Sequence, residues 1–224
     1  MIKRDPGCIR AFLFDLDGTL IDSKVDLVNS VNAMLRETGR AEQPPDRIAS
    51  YVGHGALQLI ASVLGPESSE EERTQALAVF LAQYGAQKLN YTVAYGGVVE
   101  GLHRLAAYPK AVLSNKPTQM SRDMLDALKL GGFFRGVYGG DSFPKKKPDP
   151  AGALTILQQL GVPPGESAMV GDSDVDVQTA RNAGMLAVGV TYGFGQHNRQ
   201  LCPADLYIDS LTELLPLAVQ PSQG

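Results

Sequence analysis

Two carboxylates, Asp15 and Asp17, follow directly on the apolar run Ile9-Arg10-Ala11-Phe12-Leu13-Phe14. With its β-branched and aromatic members, that run reads as a strand buried on both faces. Asp is a poor strand former, so the pair marks the point where the strand opens into a loop at its carboxyl edge. In a parallel α/β sheet that edge is where ligands bind. Strand side chains alternate, so Asp15 and Asp17 share a face while Leu16 points away, and both carboxylates can converge on one cation or one phosphorus. Gly18 permits a tight bend, and Thr19 supplies a hydroxyl.

Three further polar clusters have the same placement. Ser114-Asn115 closes the short strand Ala111-Val112-Leu113, and Lys147 sits in Lys145-Lys146-Lys147-Pro148-Asp149-Pro150 after a predicted strand at 136–140. Asp172 and Asp176 lie in Gly171-Asp172-Ser173-Asp174-Val175-Asp176, behind the buried strand Ser167-Ala168-Met169-Val170. A parallel sheet gathers all four clusters at one edge. Three or four carboxylates without His or Cys form a hard ligand set, suited to Mg²⁺ more than to Ca²⁺. Ser114, Asn115 and Lys147 are donors, and donors opposite a carboxylate and a metal fit an anionic phosphoryl group. Lys145 and Lys146 read as a solvated face, and Asp174 as a first-turn helix residue favoured by the dipole. Ser114-Asn115 by itself would pass for a helix cap.

The elements that position these residues follow from periodicity. After Thr19, helical spacing takes over in Leu27, Val28, Val31, Met34 and Leu35, then around 57–64, then from about 70 to 84 with Leu77, Phe80, Leu81 and Tyr84 on one stripe. No strand is legible between Asp22 and Tyr91. So much helix between two strands exceeds a βα connection and predicts a helical cap over 22–91, inserted into a core of 1–21 and 92–224. Beyond it, helices around 98–105, 120–128, 154–160 and 174–183 alternate with strands at 111–113, 136–140, 167–170, 186–190 and 206–208. That alternation specifies an α/β fold with a doubly wound, mainly parallel sheet of Rossmann-like order. The tail, 220–224, reads as disordered.

Composition bounds the class. With 224 residues, 44% hydrophobic and 20% charged, the chain suits a globular protein with one sizeable core and a smaller insert. No apolar run approaches the about 20 residues of a membrane helix, and 1–7 lack a secretory signal pattern, so a cytoplasmic protein is expected. Cys8 and Cys202 have no metal-ligand spacing and read as free thiols. A net charge of −4 without a basic stripe argues against nucleic acid as a partner. Monomer and homodimer both remain open.

Taken together, Asp15-Leu16-Asp17-Gly18-Thr19, Ser114-Asn115, Lys147-Pro148-Asp149-Pro150 and Gly171-Asp172-Ser173-Asp174-Val175-Asp176 resemble, intact and in order, the four motifs of the haloacid dehalogenase superfamily of aspartate-nucleophile phosphatases. The resemblance implies that Asp15 is the nucleophile, forming an aspartyl-phosphate, and that Asp17 is the acid that protonates the leaving oxygen and then activates water. It implies Mg²⁺ held by Asp15, the carbonyl of Asp17 and Asp172, supported by Asp176, with Ser114, Asn115, Thr19 and Lys147 around the phosphoryl oxygens. A carboxylate at position 17 separates phosphatases from true dehalogenases. Smaller pieces resemble the phosphoglycolate phosphatase-like branch, among them Asp22-Ser23, Val52-Gly53-His54-Gly55, Tyr95-Gly96-Gly97-Val98 and Thr191-Tyr192-Gly193-Phe194-Gly195. Gly96 stands where a proline is common in that branch, and Ser114 where Thr is frequent. The expected substrate is a small phosphorylated metabolite, 2-phosphoglycolate first, with His54 and flanking amides, Lys24 or Lys116 as candidates to hold its carboxylate. A sugar phosphomutase of the β-phosphoglucomutase type, or a pyrophosphatase or other sugar-phosphate phosphatase of the same family, stays open beside it. A binding protein on a retired scaffold fits less well, because such a protein has no reason to keep Asp15 and Asp17 together.

Overall fold

Strands buried on both faces must be covered on both sides, and the sheet is built that way. The computed structural model describes residues 8–195 and 197–218; the predicted disordered tail at 220–224 and residues 1–7 lie outside them. The first strand, β1 (Ala11–Phe14), leads into a two-residue strand β2 (Ile21–Asp22) and four helices, α1 (Lys24–Glu37), α2 (Pro45–Ala49), α3 (Ala56–Leu64) and α4 (Glu70–Gln87). The chain returns through β3 (Val93–Ala94) and alternates onward as α5 (Val98–Arg104), β4 (Lys110–Leu113), α6 (Thr118–Ala127), β5 (Gly136–Tyr138), α7 (Ala151–Leu160), β6 (Ser167–Gly171), α8 (Asp174–Ala183), β7 (Leu186–Val190) and β8 (Leu206–Ile208).

Six strands form one sheet in the order β5-β4-β1-β6-β7-β8, every pair parallel. The fold is the doubly wound α/β class that the alternation specifies. Side-chain alternation along β1 sends Phe12 and Phe14 into one apolar layer, with Val98, Leu102 and Met124, and Ala11 and Leu13 into the other, with Ile156, Met169 and Val177. Strand order reverses at β1: the chain first adds β4 and β5 on one side, then crosses to β6 on the other. The crevice at such a switch point is where doubly wound sheets bind ligands.

The helices between β2 and β3 have an apolar centre of their own, in which Leu27, Val31, Met34, Leu35, Ile48, Leu59, Ile60, Phe80 and Tyr84 pack together. Helix α4 starts at a capping box: Ser69 Oγ accepts from Glu72 N and Glu72 accepts from Ser69 N. The connections in and out pair antiparallel, Ile21 with Ala94 and Asp22 with Val93. Beside that ribbon the buried carboxylate of Asp26 accepts from Tyr91 N, Thr92 N and Thr92 Oγ1.

Several details differ from the sequence reading. The strand expected from Ile9 begins at Ala11, because Ile9 makes an isolated bridge to Ala218 instead. Helix α2, the β2–β3 ribbon and the 3₁₀ segment Leu211–Leu217 were not expected. Cys8 is exposed and Cys202 buried, and both are free thiols. Among the described residues no helix is long and apolar enough to cross a membrane.

Candidate active site

Each central strand delivers one polar residue to the crevice as it ends. Phe14 pairs with Val112 and Val170, so Asp15 after β1, Ser114 after β4 and Asp172 after β6 emerge side by side. Asp15 is fixed by its backbone N–H, which donates to Val170 O at 2.9 Å. Asp176 enters from the first turn of α8, where its Oδ2 accepts from Ser173 N and Ser173 Oγ in a second capping box. Carboxylate oxygens of Asp15, Asp172 and Asp176 lie within 4.8 Å of one another, and all three residues are buried.

One ammonium faces these three carboxylates. Lys147 Nζ donates to Asp176 Oδ1 at 2.6 Å and stands 2.8 Å from Asp15 Oδ1, yet that oxygen accepts no hydrogen bond of acceptable geometry. Lys147 is placed by Asn115, whose Oδ1 accepts from Lys147 N and whose Nδ2 donates to Lys147 O and to Gly53 O. Both N–H groups of that amide are used on backbone, so Asn115 positions Lys147 and the Gly53 loop rather than presenting its amide to a ligand.

The charge balance leaves its mark on the acids. Burial, reinforced by Asp176 and Asp17 and opposed by Lys147, pushes the Asp15 carboxyl up to about 6. Burial, then the neighbouring Asp176 and Asp15, lifts Asp172 well above the usual carboxylate range. For Lys147 burial pulls downward, but Asp15 and Asp176 outweigh it and hold the ammonium above its ordinary value. Three buried carboxylates against one ammonium leave excess negative charge. An all-oxygen set of this kind fits a hard divalent cation, which would supply the missing charge.

The backbone is closely fitted around Asp172. Gly18 has φ +80°, and a Cβ there would overlap Asp172 Oδ2. Gly195 N donates to the same oxygen at 2.6 Å. Neither contact is visible in the sequence, because residues 18, 172 and 195 meet only through the fold.

Asp17 stands outside the triad. Its carboxylate accepts from Ser23 Oγ at 2.5 Å and from Lys116 Nζ at 3.0 and 2.9 Å, and Lys116 also donates to Tyr84 Oη at 2.7 Å. Burial pulls the Lys116 ammonium down, but Asp17 and Tyr84 more than offset it. Burial likewise pushes the Tyr84 phenol up to about 12, against the nearby Lys116.

Asp15, Asp17, Ser114, Asn115 and Asp172 line one cleft between the sheet edge and the inserted helices, while Lys147 and Asp176 stand buried behind it. Two candidates are not brought there. Thr19 is fully buried with its hydroxyl unpartnered, and its carbonyl accepts from Tyr192 Oη; His54 is exposed, and only its neighbours Gly53 and Gly55 reach the cleft. Lys24 pairs with Asp46 outside the cleft. Sequence reasoning gave no site role to Ser23 or Tyr84.

Comparison with known proteins agrees with this geometry. The family described as haloacid dehalogenase-like hydrolase matches residues 12–190. The phosphoglycolate phosphatase of Pseudomonas putida is 41% identical, over 98% of this chain and 84% of that protein. Phosphoglycolate phosphatase 1 of Pseudomonas aeruginosa is 38% identical over 96% of this chain and 81% of that protein. Among solved structures, a predicted phosphoglycolate phosphatase from Haemophilus somnus superposes with a TM-score of 0.85 at 29% identity, covering 93% of this chain and 97% of the other. A haloacid dehalogenase-like family hydrolase from Streptococcus pneumoniae gives 0.82 at 26% identity, over 93% and 97%.

Proposed function

Because the chain belongs to the haloacid dehalogenase-like hydrolase family and is a phosphatase, we propose that it hydrolyses phosphomonoesters of small metabolites through an aspartyl-phosphate on Asp15. The relatives' names put 2-phosphoglycolate within that class. One observation supports the reading: Asp15 ends the central strand beside Asp172, with a buried oxygen 2.8 Å from the Lys147 ammonium.

In this reading the Asp15 carboxylate attacks phosphorus, forming a P–O bond as the bond to the leaving alcohol breaks. Asp17 gives that alcohol its proton, then takes one from the water that cleaves the aspartyl-phosphate. Ser114 and Lys147 hold the phosphoryl oxygens, and Lys147 is fixed for that work by Asn115 and Asp176. Asp15, the carbonyl of Asp17 and Asp172 would hold Mg²⁺, with Asp176 in support, and the ion would offset negative charge on the phosphoryl group. Division of labour follows: residues 1–21 and 92–224 form the core that does the chemistry, and 22–91 a helical cap that covers it.

The test is release of inorganic phosphate from a panel of phosphate esters with Mg²⁺ and no bisphosphate primer, which a phosphomutase would need. Asp15→Asn should fold as before and lose roughly a hundredfold or more in turnover, since an amide is a poor nucleophile and ligand. Retention of more than about a hundredth of wild-type activity would remove the covalent step.

A further inference from the structure

Lys116 and Tyr84 line the cleft and are buried, yet the chemistry above gives neither of them a task. Lys116 Nζ has three N–H groups, and each is met: two by the oxygens of Asp17 at 3.0 and 2.9 Å, the third by Tyr84 Oη at 2.7 Å. Ser23 Oγ, just ahead of α1, adds a further donor to Asp17 Oδ1. The backbone of Lys116 is anchored, its N–H donating to Ser114 Oγ and its carbonyl accepting from Gly140 N. Tyr84 is fixed by its ring, which stacks on Phe80 with centroids 5.5 Å apart and has the Lys116 ammonium 4.4 Å from its own centroid.

Burying an ammonium–carboxylate pair adds little to stability, because desolvation offsets the attraction. What the network does fix is the direction of the Asp17 carboxylate. Bracketed by donors, Asp17 stands in its acceptor form, the form that takes a proton from water. Its Oδ2 accepts from Lys116 alone among the described residues, and Asp17 lines the cleft, so that oxygen keeps a lone pair for a water.

Resting on the aspartyl-phosphate reading above, we propose that Tyr84 and Lys116 are positioning residues for the second half of the reaction. Tyr84 holds the Lys116 ammonium, and Lys116 holds the Asp17 carboxylate. Asp17 then removes a proton from the water whose oxygen bonds to phosphorus, as the bond from phosphorus to Asp15 breaks and its electron pair returns to the Asp15 carboxylate. Tyr84 belongs to α4, so the insert takes part in the hydrolysis through this hydroxyl, while its apolar lining residues are left to cover the cleft.

The probe is p-nitrophenyl phosphate, with the full chain and Mg²⁺, because nitrophenolate leaves as a stable anion and needs no proton. Stopped-flow release of the first equivalent of nitrophenolate follows formation of the aspartyl-phosphate, and acid quench follows its breakdown. Tyr84→Phe keeps the ring and removes only the hydroxyl; it should hold the first rate within about twofold and slow breakdown about tenfold, the order of one hydrogen bond to a charged group. Lys116→Met should slow breakdown about a hundredfold, the contribution of a well-placed proton acceptor, and Tyr84→Phe decides alone if that variant does not fold. Both variants should accumulate about one equivalent of phosphate on Asp15. Equal slowing of formation and breakdown would make the two residues props of the whole site, and unchanged breakdown would free Asp17 of them. Either result overturns the proposal and leaves the aspartyl-phosphate reading intact. Turnover with no protein-bound phosphate in wild type or variants would overturn both.

Discussion

Gly18 shows how closely the acid cluster is fitted. Its φ of +80° suits glycine, and a methyl group there would overlap Asp172. Gly18→Ala should therefore cost about 1–3 kcal/mol of stability from backbone strain. It should also weaken divalent-cation binding by about tenfold or more, as disturbing the surroundings of a ligand does. Thermal melts and metal titration of the same sample would read both effects. Asp15, Ser114, Lys147 and Asp172 could be found from sequence because each follows a strand, and a parallel sheet leaves such residues no other edge to occupy. Lys116 is one of the cations the sequence offers for a substrate carboxylate, but it pairs with Asp17 and Tyr84. No spacing rule predicts that partnership, since Tyr84 and Lys116 belong to different layers and meet only when α4 packs over the crevice. Thr19 shows the opposite error: it follows the acid pair, but the bend at Gly18 carries its side chain into the interior.

Among the elements, long periodic helices and hydrophobic strands were legible, and short ones were not. Helix α2 has five residues after Pro44, too few for a helical repeat to register. Strands β2 and β3 have two residues each and are defined by pairing with each other, which no local pattern encodes. The 3₁₀ segment Leu211–Leu217 contains Pro216, which reads as a breaker until the segment packs beside α5. The junction beside the ribbon depends on Asp26, a buried carboxylate that satisfies two backbone N–H groups and a hydroxyl. Asp26→Ala strands those donors and should destabilise the protein by about 2–4 kcal/mol. Equilibrium urea unfolding would measure it, and a loss below about 0.5 kcal/mol would mean that water replaces the carboxylate without cost.

At the scale of the whole molecule, the acid cluster ties stability to pH and to metal. Asp15 is pushed up to about 6 from 3.8, and Asp172 also lies well above 3.8, in both cases chiefly through burial. A raised carboxyl pKa means that the native state binds protons more tightly than the unfolded chain. The penalty from Asp15 is full above about pH 6 and is relieved as pH falls toward 3.8, and the penalty from Asp172 is likewise relieved on acidification. Metal-free protein should therefore gain melting temperature between pH 7.5 and pH 5.5, opposite to the trend of salt-bridged carboxylates. Added Mg²⁺ should raise the melting temperature more at pH 7.5 than at pH 5.5, because Asp15 is ionised at the higher pH, and binding there should release fewer protons from Asp15 than at pH 5.5. A melting temperature of the chelated protein that falls on acidification over this range would show that Lys147 alone balances the cluster. The antiparallel ribbon has a consequence of another kind. Because Asp22 lies opposite Val93, the chain leaves the sheet layer and rejoins it at one spot, and a tight turn across those two residues would close the gap as a hairpin. Everything between them is in that sense a cassette, exchangeable through recombination or by design without changing the order of a single strand in the sheet. Under the division of labour proposed above, the covering helices and the sheet that carries the acids can then evolve at separate rates within one gene.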